Sequence, residues 1–470
     1  MALKIIVALY ALYLFLVTYS NYNRYISESI DVSYFHYTIW QLSEFKIPYI
    51  WEGTTIPVWS QHFSPILFFI APIYWFIQKA GVLMIIQAAF VISGAIPIYM
   101  TIRDDLKSRL NSLAVSFAYL AFGGLQFGFA YGFHEIMFFP TLFLWTYYFY
   151  THKKIKLYFL FVLLSLFVKE EVSFIMLFWG LYLLIIKKEK LIGPLTMFSG
   201  LIWYFLCFNL IFPHFNLGKS FGYWGQYDQS AGKGVFGIAQ FLLSKPAAFL
   251  NTLITPSYKI DTIMHTFGSY SFLPFIYPAS FIFIIPVLLE KLLSSDIAGA
   301  SGAHYSAAIT GVTVVATIES LRFLFKRNIF PKIIENPKIF TGVLIFYVAL
   351  FANTIYGYKN LAISPFVNKY APSDENIALL SEVISKIPKE ASISAQYQIA
   401  PHIQKPIEKI RVGPNTPESA DFVIVDTQIL PVLTDSKTIN KNLEALEKNK
   451  NYQLVVNNLG VVVFRKVSFR

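Results

Sequence analysis

Apolar residues fall in long blocks along most of this chain, separated by short charged clusters, and the pattern changes near residue 358. A helix needs about 20 apolar residues to cross the ~30 Å interior of a bilayer. Blocks of that order recur from residue 3 to residue 356 and predict a mainly α, polytopic transmembrane helical bundle. Lys/Arg clusters at residues 103–109, 153–156, 187–190 and 322–338 set its orientation, because short basic loops stay in the cytoplasm. With Lys4 also inside, the first helix ends outside near Asn21, and residues 21–62 form an external loop. The run 63–77 carries Pro65 and Pro72, helix breakers that suit a segment dipping in and returning. Spans then follow at 83–102, 111–131, 135–151, 156–169, 172–187 and 191–212. An external loop at 213–257 precedes a weak span at 259–276, which holds Asp261, His265 and Gly268, and better ones at 277–293, 304–325 and 338–357. The sum is about eleven spans within a 1–357 transmembrane domain, with the N-terminus cytoplasmic.

Residues 358–470 regain charge and proline, and their apolar runs shorten. The periodicities predict a helix over 375–387, strands at 392–395 and 421–426, a helix over 437–450, and a hairpin of 452–456 with 461–465 across 457–460. This part is expected to be a small soluble α/β domain on the extracytoplasmic face.

Composition agrees with a cell-membrane, multi-pass protein. Of 470 residues, 56% are hydrophobic and 14% charged, against about 25% charged in ordinary soluble domains. The formal charge of +11 is read as cytoplasmic loop charge. No basic stripe joins an RNA or DNA motif, so no nucleic-acid partner is expected. The single cysteine, Cys207, excludes an intrachain disulfide. The first twenty residues lack an Ala-x-Ala-like site and are read as an uncleaved helix.

Charged residues beside hydrocarbon carry the candidate chemistry. In VKEEVSF (168–174), Lys169, Glu170 and Glu171 interrupt two apolar runs. A charge at a helix centre costs roughly 2.5–3.5 kcal/mol on insertion scales. The charge-based topology moves these residues to an external helical turn and so removes most of that cost. The same topology brings Asp31, His36, His62, His134, Glu135, His304 and Tyr305 to the same membrane level. An outward-facing cavity has that signature, and so does a set of interfacial residues each serving its own helix end. His-Glu-x-x-His, P-loop and GxSxG patterns are absent, and the Gly-rich stretch 294–304 lacks the lysine of a phosphate loop.

The motifs HFSPILFFIAPIYW (62–75), FGFAYGFHEIMFFP (127–140), LFVKEEVSF (166–174), LLSS…HYSAA (292–308) and ADFVIVD (420–426) resemble those of the DUF2079 predicted membrane proteins, in order and in spacing. That family in turn resembles the GT-C integral-membrane glycosyltransferases. The resemblance implies a sugar donor linked to a polyprenyl phosphate, an acceptor on a glycan, lipid or protein, and an acidic residue in the first external loop. Asp31 in ESIDVSYFHYTIW (28–40) matches that residue; where family members often carry a second Asp, this chain has His36.

On that reading Asp31 is the base and Lys169 faces the leaving phosphate. Glu135, Glu170 and Glu171 orient the acceptor or hold an ion with His62 or His134. Mg²⁺ or Mn²⁺ suits oxygen-rich ligands, although nothing in the sequence requires a metal. Tyr34, Phe35, Tyr37, Trp40, Trp51 and Trp59 are candidates for sugar stacking or for an aromatic belt. The alternative is a transporter or flippase of a lipid-linked or polar substrate, since buried charges also mark transport paths. A structural envelope protein is a third reading. Inverted repeats, common in transporters, are not visible.

Overall fold

The structure, a computed structural model, describes residues 2–26, 30–50, 56–217, 234–294, 304–360, 372–403, 409–412, 420–429 and 436–469. Helix α1 (Ala2–Asn23) is free of Gly and Pro. Its Leu9, Leu12 and Leu16 are exposed while Leu14 and Val17 are buried. A helix with its apolar residues facing outward suits lipid rather than water.

Next comes a helix in the stretch expected to be loop, α2 (Ile30–Ser43). Its β-branched and aromatic residues are poor helix formers. Burial from Val32 to Ser43 holds it in place, so packing overrides propensity. The segment expected to dip appears as α3 (Ile66–Ile70) continued by a 3-10 turn, Ala71–Trp75. Ten residues of helix are too short to cross.

The body continues through α4 (Ala80–Ser93), α5 (Ala95–Leu106), α6 (Arg109–Ala121), α7 (Gly123–Tyr131), α8 (Phe139–Thr151), α9 (Ile155–Leu166), α10 (Val172–Ile185) and α11 (Ile192–Phe205). A π-helical turn leads from α11 into α12 (Phe212–Phe215). Helices α6 and α7 meet at a 44° bend. There the Gly123 N–H leaves the helical ladder and is taken by Asn353 Oδ1 at 2.8 Å.

Two helices, α13 (Gly234–Ser244) and α14 (Pro246–Thr252), occupy part of the expected loop 213–257. The weak span begins as α15 (Tyr258–Gly268) and breaks at Ser271 and Phe272, both at positive φ. It resumes as a 3-10 turn, Leu273–Ile276, so it is not one continuous helix. Helices α16 (Phe281–Leu293), α17 (Ala307–Arg327) and α18 (Pro337–Asn360) complete the body. The 18-residue core window of α17 is 83% buried. Its Thr310, Thr313 and Thr317 satisfy their hydroxyls on carbonyls four residues back.

Among the described residues, four helical stretches are long and apolar enough to cross a membrane: Leu3–Asn23, Ala80–Leu106, Ile192–Phe215 and Ala307–Arg327. The bent pair α6–α7 makes a fifth, and shorter apolar helices fill the spaces between them.

Past α18 lie α19 (Asp374–Lys386), β1 (Ile393–Ala395), β2 (Ile410–Val412), β3 (Phe422–Asp426), α20 (Ser436–Lys448), β4 (Tyr452–Asn458) and β5 (Val461–Lys466). The sheet order is β2-β1-β3-β5-β4. β1 is parallel to β2 and β3; β5 is antiparallel to β3 and β4. Strand alternation sends Phe422 and Ile424 toward Leu380 and Val383 of α19, and Val423 and Val425 toward Ile439 and Leu446 of α20. Both faces are therefore covered, which explains an apolar run without alternation in FVIVD.

This unit sits on the ends of α1 and α2. His402 stacks on Tyr22 with ring centres 4.2 Å apart, and Ser33 donates to the Tyr397 carbonyl at 3.0 Å. Arg24 pairs with Asp374 at 3.0 Å.

Candidate active site

Residues 167–171 form a turn between α9 and α10, not a helical turn. This corrects the expected helical turn, and Glu170 and Glu171 find separate tasks. Glu170 reaches the stretch that leads into α3. Its Oε1 lies 2.8 Å from His62 Nδ1, and its Oε2 accepts from the Phe63 N–H at 3.3 Å. The Phe167 carbonyl takes the Ile66 N–H at 2.9 Å. These contacts staple 62–66 to 167–170. Glu171 instead faces Lys169, with Oε2 3.7 Å from Nζ.

Lys169 also meets Glu135 Oε1 at 3.6 Å, and Glu135 Oε2 is 2.9 Å from His134 Nδ1. The loop carrying His134 has a specific geometry. Gly132 sits at φ +134, a region where only glycine is unstrained. Gln87 of α4 clamps the loop from both sides, donating to the Gly132 carbonyl at 2.8 Å and accepting from the His134 N–H at 2.7 Å.

His304, in the turn before α17, lays its ring on that of His134 with centroids 3.4 Å apart and 16° between planes. Tyr131 and Tyr305 flank His304 at 5.4 Å and 4.2 Å. Asp31, in the first turn of α2, completes the cluster, its Oδ2 3.8 Å from His304 Nδ1. Burial raises the Asp31 carboxyl above its ordinary value; Glu135 adds to the rise, while His134 and Lys169 oppose it. A carboxyl so placed is better suited to accept a proton than a solvated one.

The structure thus brings together Asp31, His134, Glu135, Lys169, Glu171 and His304, with Glu170 and His62 one layer behind. His36 is elsewhere, bonded to the Tyr74 hydroxyl at 2.6 Å. The aromatics Tyr34, Phe35, Tyr37 and Trp40 are buried in the body instead of forming an exposed belt. Trp59 packs on Phe63 and Phe215. Trp51 and most of the Gly-rich stretch, 295–303, lie outside the described residues.

Three neighbours escaped sequence reading. Gln87 gave no signal within an apolar helix. Glu290 and Lys291 looked like the end of a span, although a charged pair after an apolar run is the same signal as in VKEEVSF. Lys291 Nζ donates to the Tyr305 carbonyl and to the Ser306 hydroxyl, both at 3.2 Å, joining α16 to the His304 turn.

Fold and apolar helices together define a polytopic membrane protein with the architecture of ArnT. The crystal structure of ArnT from Cupriavidus metallidurans bound to undecaprenyl phosphate matches with a TM-score of 0.54 at 11% identity, over 99% of this chain and 98% of that one. The model of the family described as "Predicted membrane protein (DUF2079)" matches residues 5–463, and the chain belongs to that family. No protein of curated function matches the sequence.

Proposed function

We propose that this protein is a GT-C-like glycosyltransferase that moves a sugar from a polyprenyl-phosphate donor to an acceptor on the outer face of the membrane. The observation that carries the reading is the convergence of Asp31, His134, Glu135, Lys169 and His304, from four distant stretches of chain, into one cluster that is buried except at the partly exposed Asp31. The fold adds weight, since the ArnT structure it resembles holds a polyprenyl phosphate.

In the reaction the acceptor oxygen attacks the anomeric carbon and the bond from that carbon to the phosphate oxygen breaks. The acceptor proton passes to Asp31, and polyprenyl phosphate departs as an anion toward Lys169. A lysine serves there as a point charge. Its carboxylate neighbours hold it charged in a low-dielectric site, where charge stabilisation is strongest.

The proposed topology has eleven passes, the N-terminus in the cytoplasm, and the C-terminal unit outside. Ion pairs support it. Arg322 joins Asp105, Lys187 joins Glu319 at 2.6 Å, and His152 joins Asp104 at 3.4 Å. The basic clusters assigned to one side therefore touch one another. The C-terminal unit contacts the opposite end, at Tyr22 and Arg24. The broken segment 258–276 still counts as a pass. Beyond it Tyr277 packs on Phe323, near the cytoplasmic end of α17, while Leu253 before it joins the Leu289–Leu293 end of α16, near Lys291. Ser269, Tyr270 and Leu273 at the break are buried, and non-helical backbone is tolerated at membrane depth where protein covers it.

Purified protein in nanodiscs, incubated with a panel of polyprenyl-phosphate sugars, tests the reading by mass spectrometry. Donor consumption with release of polyprenyl phosphate is expected for at least one sugar. Uptake or flipping of intact donor with no cleavage would establish the transporter alternative instead.

A further inference from the structure

Asp31, His134 and His304 each place one potential ligand atom within 4.8 Å of the other two. They come from three separate elements: the first turn of α2, the loop clamped by Gln87, and the turn before α17. Both imidazoles are nine-tenths or more buried, and their Nδ1 atoms make no hydrogen bond of good geometry. The two rings lie parallel with centroids 3.4 Å apart, which keeps their nitrogens close together.

The surroundings have the form of a metal site's outer layer. Ligating histidines usually present their second nitrogen to a carboxylate, which fixes the tautomer and raises basicity. Glu135 stands 2.9 Å from His134 Nδ1 as a charge contact outside hydrogen-bond alignment, and so supplies the negative charge of such an outer carboxylate beside that ring. Glu135 is fully buried and Lys169 balances its other oxygen at 3.6 Å.

We infer that Asp31, His134 and His304 form a three-ligand site for a divalent transition ion of the Zn²⁺ class, with Glu135 as the residue that positions His134. Two imidazoles and one carboxylate favour such an ion over Mg²⁺, which prefers all-oxygen octahedra. Three protein ligands leave a position open, the pattern of metal sites that bind substrate. The inference rests on the proposed function only for what fills that position: a phosphate oxygen of the donor. Asp31 then gives one carboxylate oxygen to the ion and keeps the other for the acceptor hydroxyl.

The test uses the full chain in nanodiscs, stripped with chelator and titrated with Zn²⁺ or Co²⁺ alone. Elemental analysis after desalting is expected to find about one ion per chain, and Co²⁺ to give visible d–d bands. Both signals should vanish in His304→Ala and His134→Ala. Glu135→Gln, which keeps shape and removes charge, should weaken binding by about 10–100-fold. Wild-type protein that takes up no ion overturns the inference, and so does equal uptake by well-folded His304→Ala protein. The outcomes separate from those of the transferase reading. Sugar transfer by stripped protein that binds no ion sinks the metal site alone, whereas stoichiometric binding without transfer of any sugar sinks the transferase alone.

Discussion

Glu319 illustrates what single charged residues do at the end of the molecule opposite the candidate site. It is buried in α17 and accepts from the Tyr147 hydroxyl at 2.6 Å, Lys187 at 2.6 Å and Arg322 at 3.0 Å. Removing one partner of such a buried network costs about 3–5 kcal/mol, because the rest are left uncompensated. Glu319→Ala should therefore lower the thermal midpoint markedly in detergent while leaving the Asp31 cluster in place, read by unfolding scans with and without donor. At the candidate site, residue types were legible in the sequence because charges stand out against apolar runs. Their partners were not. That Glu170 latches His62 while Glu171 faces Lys169 depends on a non-helical turn, and Gln87 gave no signal because one amide in an apolar helix looks like a tolerated exception.

At the scale of elements, α10 and α11 pack closely, and glycines allow it. A Cβ on Gly180 would stand 2.5 Å from the Met197 nitrogen, and one on Gly200 2.6 Å from the Ser173 carbonyl oxygen. Small residues at such seams let helices approach in a membrane. Gly180→Leu should force the pair apart, at a cost of about 1–3 kcal/mol or more, and reduce the monodisperse fraction on size-exclusion chromatography. Because the turn 167–171 leads into α10, the same variant should also loosen the His62–Glu170 staple.

The apolar blocks predicted most of these helices to within a few residues, and the helices and hairpin of the C-terminal unit equally well. The misses have physical causes. Helix α2 holds residues that favour strands and exists because it is buried. Strand β2 is only three residues long and has the charged Arg411 at its centre, so no apolar run marks it. Segment 258–276 has enough apolar residues for a span but breaks at two positive-φ positions.

Across the whole molecule, the C-terminal unit touches the helix that carries Asp31, through Ser33, and the end of α1, through His402. Burial above all, with a smaller contribution from nearby His36, lowers the His402 ring to about 3 against an ordinary 6.5, and the contact with Tyr22 only partly offsets this. The undocked state therefore binds the proton more readily. Docking is at full strength above pH ~6.5 and weakens as pH falls toward 3. Hydrogen-exchange protection at the 396–403 segment, taken relative to the intrinsic rate at each pH, should fall between pH 7.5 and pH 5, and His402→Phe should remove that dependence; the burial-raised carboxyl of Asp426 works in the opposite sense at lower pH.

The central claim is that Asp31 serves a transfer reaction in this cluster. It is tested most directly by the rate of sugar transfer from a polyprenyl-phosphate donor by wild-type and Asp31→Asn protein, at matched folding and lipid composition. A positioned base contributes typically 10²–10⁴-fold, so the variant should fall by at least about a hundredfold with its donor affinity little changed. Transfer by Asp31→Asn at the wild-type rate would contradict the account.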